Sequence, residues 1–179
     1  SMECLKNVRE ICNKYNKPIL FDSARFAENA YFIKTREEGY GSKTIKEIVK
    51  EMFSYADFMT MSSKKDAIVN MGGFIAMNSR EIWQKCSMYN IMFEGYVTYG
   101  GMSGRDMNAL AVGLDEGTDF EYLETRIKQI EYLGNQLKEH GVPIQWPPGG
   151  HAIFVDANKI LPNVPKEQYR CLLYTSDAA

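Results

Sequence analysis

Short apolar runs alternate with amphipathic helical stretches along most of this chain, and that alternation narrows the folds open to it. Residues 3–15 place Leu5, Val8, Ile11 and Cys12 on one helical face. Pro18-Ile19-Leu20-Phe21-Asp22 is a short apolar run ending in a carboxylate. Residues 24–34 read as a helix. Residues 42–55 read as another, with Thr44 and Glu47 at capping-box spacing and Ile45, Ile48, Val49, Met52 and Phe53 as its apolar stripe. Runs at 56–61, 67–69 and 72–77 each have the look of a buried strand. Helices are expected over 79–89 and 105–114, and a long one over 119–140, stopped by Gly141 and Pro143. Beyond it, 142–146 and 151–156 read as two strands around Pro147-Pro148-Gly149-Gly150. The alternation predicts an α/β fold, a parallel sheet with helices on its faces.

A net charge of −2 on 179 residues gives no electrostatic reason to expect nucleic acid or an anionic membrane as partner. No apolar run is long enough to span a bilayer, and Ser1-Met2-Glu3-Cys4 is not a signal peptide. Cys4, Cys12, Cys86 and Cys171 have no CxxC or metal-ligand spacing, and isolated thiols suit a reducing cytoplasm. His140 and His151 do not make a zinc site.

The stretch "TMSSKKDAIVNMGG" (60–73) sets Lys64 and Lys65 between apolar flanks. Two ammonium groups are costly to bury without partners. They are either surface lysines on a solvated turn, or one of them is an enclosed amine kept because it reacts. Asp22 ends the first strand, where ligands collect in open α/β sheets, and Arg25 follows it. Taken alone, Asp22 is equally a helix cap paired with Arg25. Together, a lysine and a carboxylate at two strand ends have a specific use in pyridoxal phosphate chemistry. The lysine forms a Schiff base and the acid keeps the pyridinium nitrogen protonated. Ser62 and the backbone around it are placed to donate to a phosphate. The loop Tyr99-Gly100-Gly101-Met102-Ser103-Gly104 has a rival use as a nucleotide-phosphate cradle, but it lacks GxGxxG spacing and a Walker lysine.

Four stretches, "FDSARFAENAYFIK" (21–34), "MSSKKDAIVNMGG" (61–73), "YGGMSGRDM" (99–107) and "GGHAIFVDA" (149–157), closely resemble the β-eliminating lyases, the family of tryptophanase and tyrosine phenol-lyase. The resemblance implies a pyridoxal 5'-phosphate enzyme of the aspartate-aminotransferase fold (fold type I), cytoplasmic, a homotetramer and activated by potassium. It implies that Lys65 is the Schiff-base lysine, that Asp22 partners the pyridine nitrogen, and that Arg25 addresses the cofactor's phenolic oxygen. Ser62 matches a phosphate ligand, Asn70 a position whose backbone oxygen holds potassium, and Tyr99 an active-site tyrosine reaching the partner subunit's site. Lys64 is either a cofactor contact or a neighbouring surface charge, and His151 either a site histidine or a satisfied core one.

The implied organisation is the C-terminal part of the cofactor-binding large domain over 1–118, an interdomain helix over 119–140, the start of an α+β small domain over 141–169, and a non-native tail over 170–179. The segment that stacks on the cofactor ring and the arginine that grips the substrate carboxylate are then absent, and the fragment is expected to be inactive alone. The expected reaction is β-elimination of an aromatic amino acid, L-tryptophan to indole, pyruvate and ammonia. "DSARFAENAYFIK" and "ILPNVPKEQY" resemble tryptophanase, whereas "SGRDM" resembles tyrosine phenol-lyase, which keeps L-tyrosine as the alternative. An alternative of another class is a catalytically dead domain that retains only subunit association.

Overall fold

The computed structural model describes residues 1–165 and 167. The chain divides into two compact units, the first ending at Leu123 and the second beginning at Glu124. In the first unit the elements run α1 (Met2–Lys14), β1 (Leu20–Asp22), α2 (Phe26–Arg36), α3 (Ile45–Phe53), β2 (Phe58–Ser62), β3 (Gly73–Met77), α4 (Arg80–Phe93) and α5 (Gly104–Glu116). A long helix, α6 (Phe120–Glu139), starts in that unit, and α7 (Ala157–Ile160) lies in the second.

Local chemistry sets the helix ends. Thr44 Oγ accepts from the Glu47 N–H while the Glu47 carboxylate accepts from the Thr44 N–H, so the capping box is complete in both directions. Ser79 caps α4 and Ser103 caps α5 in the same way, each accepting from an amide three residues on. The stripe of α3 buries Ile45, Ile48 and Met52 against α2, which itself buries Phe26, Ala27, Ala30, Tyr31 and Ile33. Phe53 closes that layer, its ring 6.0 Å from those of Phe21 and Phe26. On the far side of α2, Tyr31 stacks on Phe120 at 5.4 Å.

The sheet order is β1-β2-β3. β1 and β2 are parallel, with Asp22 opposite Thr60, and α2 and α3 supply the crossover between them. β3 departs from the expected all-parallel sheet, because it runs antiparallel to β2. The link at 63–72 holds no helix, and without a crossover the chain can return only as an antiparallel neighbour. Residues 67–69 are likewise not a strand. They belong to that link, which turns where Ile68 N–H donates to the Lys65 carbonyl, and Ile68 takes a left-handed φ of 55°.

Several apolar faces lie open. In α1 only Met2 is buried, and Val8 and Ile11 of the expected apolar stripe are exposed. No residue of α4 is buried, and Met88, Met92 and Phe93 are each at least 70% exposed.

In the second unit, the two expected strands reduce to one antiparallel bridge, Ile144 with Val155, flanked by a Gln145 N–H bond to the Phe154 carbonyl. Lys138 lies over the Trp146 ring at 4.1 Å, and Gly134 is bare where Ile153 and Pro148 press on α6. The expected tail at 170–179 lies outside the described residues. No helix among the described residues is long and apolar enough to cross a membrane.

Candidate active site

Because β1 and β2 are parallel, their carboxyl ends open on the same edge of the sheet. Asp22 closes β1 and Ser62 closes β2, and Lys65 follows in the turn beyond Ser62. The Lys65 amine donates to Ser62 Oγ at 2.7 Å, which holds it back over the end of its own strand. Lys65 is half-buried, whereas Lys64 beside it is exposed. Of the two amines, Lys65 is the enclosed one.

Asp22 is not the cap of α2. Its Oδ1 receives only a long 3.4 Å bond from Ala24 N–H, and Arg25, the residue before the first turn, makes no side-chain cap. Asp22 and Arg25 form no ion pair among the described residues, so each is left available to a third group. Ser23, buried between them, is fully used, with N–H and Oγ both donating to the Thr60 carbonyl at 2.9 and 2.7 Å. That double bond ties the end of β1 to β2.

The cap of α2 comes from a residue that sequence reasoning missed. Asp66, fully buried, accepts the Ala27 and Glu28 N–H groups on Oδ2 at 2.8 and 3.0 Å, and its own N–H donates to the Ala24 carbonyl at 3.2 Å. Its neighbour Ser63 is also fully buried, and its Oγ has no hydrogen-bond partner among the described residues. Only the adjacency of an aspartate to the lysine pair hinted at either role, since cap and helix lie 39 residues apart.

Behind this turn stands α5. A Cβ on Gly113 would overlap the Ala67 carbonyl oxygen, and one on Gly117 would overlap that of Asp66. The two bare positions, one helical turn apart, let the turn lie directly on the helix backbone. Asn70 is exposed further along the same link. Tyr99 is 47% exposed, and its hydroxyl has no hydrogen-bond partner among the described residues. Its loop reaches the link through Met102, whose side chain packs on Gly72. His151 belongs to the second unit, where it is exposed ahead of Val155.

The groups on this edge fit a bound pyridoxal phosphate. A half-buried amine, an exposed carboxylate, a guanidinium with no partner among the described residues and an orphaned buried hydroxyl share this edge, the donor and acceptor set that pyridoxal phosphate would meet. Among the described residues there is no group of three or more His, Cys, Asp or Glu side chains able to hold a metal.

The sequence matches the family profile described as Beta-eliminating lyase over residues 1–172. It is 66% identical over 169 residues to a protein of Trichomonas vaginalis named "Probable beta-eliminating lyase". It is 52% identical to the tyrosine phenol-lyase of Fusobacterium nucleatum and 50% identical to the tryptophanase of Salinibacter ruber. Each of these alignments covers 94% of this chain and 36–37% of the relative, so the chain spans little more than a third of their length. A crystal structure from Exiguobacterium sp. 255-15, described as a candidate aromatic amino acid beta-eliminating lyase/threonine aldolase, superposes with a TM-score of 0.61 at 17% identity. That superposition covers 93% of this chain and 43% of the other, and shows likeness of fold.

Proposed function

The chain belongs to the beta-eliminating lyase family, and from that premise we propose that it is part of a pyridoxal-phosphate carbon–carbon lyase of fold type I. Its proposed reaction is β-elimination on an aromatic amino acid. The observation that carries this reading is the placement of Asp22 at the carboxyl end of β1 and of Lys65 just beyond that of β2, two adjacent parallel strands. Pyridoxal phosphate, when bound, supplies an electron sink for the pair left on the substrate's α-carbon. The remaining work belongs to the chain's own residues. Lys65, steered by Ser62, presents the amine that holds the group covalently. Asp22 offers an anionic acceptor that keeps a ring nitrogen protonated. Arg25, whose backbone stands at the start of α2, offers a cation to an oxygen. Ser62 and Ser63 are the hydroxyl donors nearest to the amine in sequence and serve a phosphate.

For the substrate we favour L-tryptophan, on the likeness of residues 22–34 and 160–169 to tryptophanase. L-Tyrosine is the second reading, favoured by the relatives named tyrosine phenol-lyase at 52% and 51% identity. The proposal extends to a homotetramer, in keeping with the exposed apolar face of α4, with Tyr99 reaching a partner's site. It also extends to a potassium ion on the Asn70 carbonyl, an oxygen ligand suited to a hard cation. A full-length protein carrying this segment, given pyridoxal phosphate and each amino acid in turn, should release pyruvate with indole. Phenol in place of indole would assign tyrosine, and release of neither would refute the lyase reading.

A further inference from the structure

We propose that Asp66 is a positioning residue, tying the Lys65 turn to the first turn of α2 and so fixing the amine's place relative to Asp22 and Arg25. One residue makes three hydrogen bonds onto the stretch 24–28, two through its carboxylate and one through its amide. That stretch begins two residues after Asp22 and contains Arg25, while Asp66 itself follows Lys65 directly. The two halves of the site, otherwise joined through the β1–β2 ladder and the Ser23 bonds to Thr60, are thereby closed a second time at the point where the chemistry sits.

The charge of Asp66 suits the task. A buried carboxylate on two free amides of a helix N-terminus is held by charge-assisted bonds along the helix dipole. On its other side the Asp66 carbonyl rests against Gly117, with Ala67 against Gly113, so the turn is gripped between two helices. Two residues on, Ile68, β-branched and 42% exposed, holds a left-handed φ of 55° within the same turn. A cap whose only task was to start α2 would not need to sit in the turn that carries the reactive amine.

The inference rests on the pyridoxal-phosphate reading, and its test separates the two. In a full-length protein carrying this segment, freed of cofactor, the rate at which trinitrobenzenesulfonate labels Lys65 is read by peptide mass spectrometry. Asp66→Asn keeps the shape and one acceptor oxygen, and Asp66→Ala removes both. Thr44→Ala, which uncaps α3 away from the site, controls for general destabilisation. We expect Lys65 labelling to change by about threefold in Asp66→Asn and more in Asp66→Ala, and to stay unchanged in Thr44→Ala. Pyridoxal phosphate should then bind about tenfold more weakly to Asp66→Asn than to the parent. Unchanged Lys65 labelling in Asp66→Asn, or the same change in Thr44→Ala, would overturn the role given to Asp66. A parent that labels as expected but binds no pyridoxal phosphate would overturn the cofactor reading and leave the positioning role standing.

Discussion

The Lys65 amine donates to Ser62 Oγ across 2.7 Å, three residues back along the chain, so lysine and strand end form one rigid hook. Lys65→Ala in the full-length protein should abolish both turnover and the absorbance band of covalently held cofactor, while Lys64→Ala keeps the band. Ser62→Ala removes a single hydrogen bond worth about 1 kcal/mol and should weaken cofactor binding roughly fivefold. Borohydride trapping of the cofactor on Lys64 would reverse the assignment.

Asp22 stands at the end of β1 with most of its hydrogen-bonding capacity unused. Asp22→Asn preserves its shape and removes the charge, so exchange of the substrate's α-proton should slow by orders of magnitude. Cofactor affinity should fall by about 1.5–3 kcal/mol, the range for a bond to a charged group. Both are measurable, by NMR of the substrate in deuterated water and by cofactor titration. Near-normal exchange would mean that another acid serves the ring.

Gly113 allows no side chain, because a Cβ there would overlap a backbone oxygen that cannot move aside. Gly113→Ala should cost about 1–3 kcal/mol of unfolding free energy in urea titration, as overpacking of a rigid contact does. Gly104→Ala, where nothing lies within 4 Å, should be nearly neutral. Equal effects at the two glycines would deny the close packing of α5 on the Lys65 turn.

At the opposite end of the sheet, Asp57 Oδ2 accepts the Ile19 N–H and the Arg9 guanidinium, each at 2.7 Å. The backbone bond first, and then Arg9, hold its carboxyl below the usual carboxylate value. A carboxylate held low when folded adds stability above its unfolded value. That stability is lost as pH falls from about 4 through the lower folded value. Asp57→Asn should therefore flatten the fall of the melting temperature on acidification in that window, and a parallel fall in parent and variant would rule the linkage out.

Sequence alone determined the helices α1 to α6 and the three strands of the sheet, though not the further strands expected at 67–69, 142–146 and 151–156. The capping box of Thr44 and Glu47 and the stripe of α3 are patterns within a few residues, and local hydrogen bonding and burial settle them. It also determined that Asp22 and Lys65 follow apolar strands, since a strand's end shows wherever the run breaks. Tertiary structure alone decided the direction of β3, which depends on the absence of a crossover between two paired strands rather than on either strand's composition. It decided that Asp66 rather than Asp22 caps α2, that Ile68 turns left-handed where a strand was expected, and that Gly113 and Gly117 touch the turn at 66–67. The Asp66 cap and the two glycine contacts join residues tens of positions apart, and no local periodicity records which distant backbone a carboxylate or a bare glycine will meet.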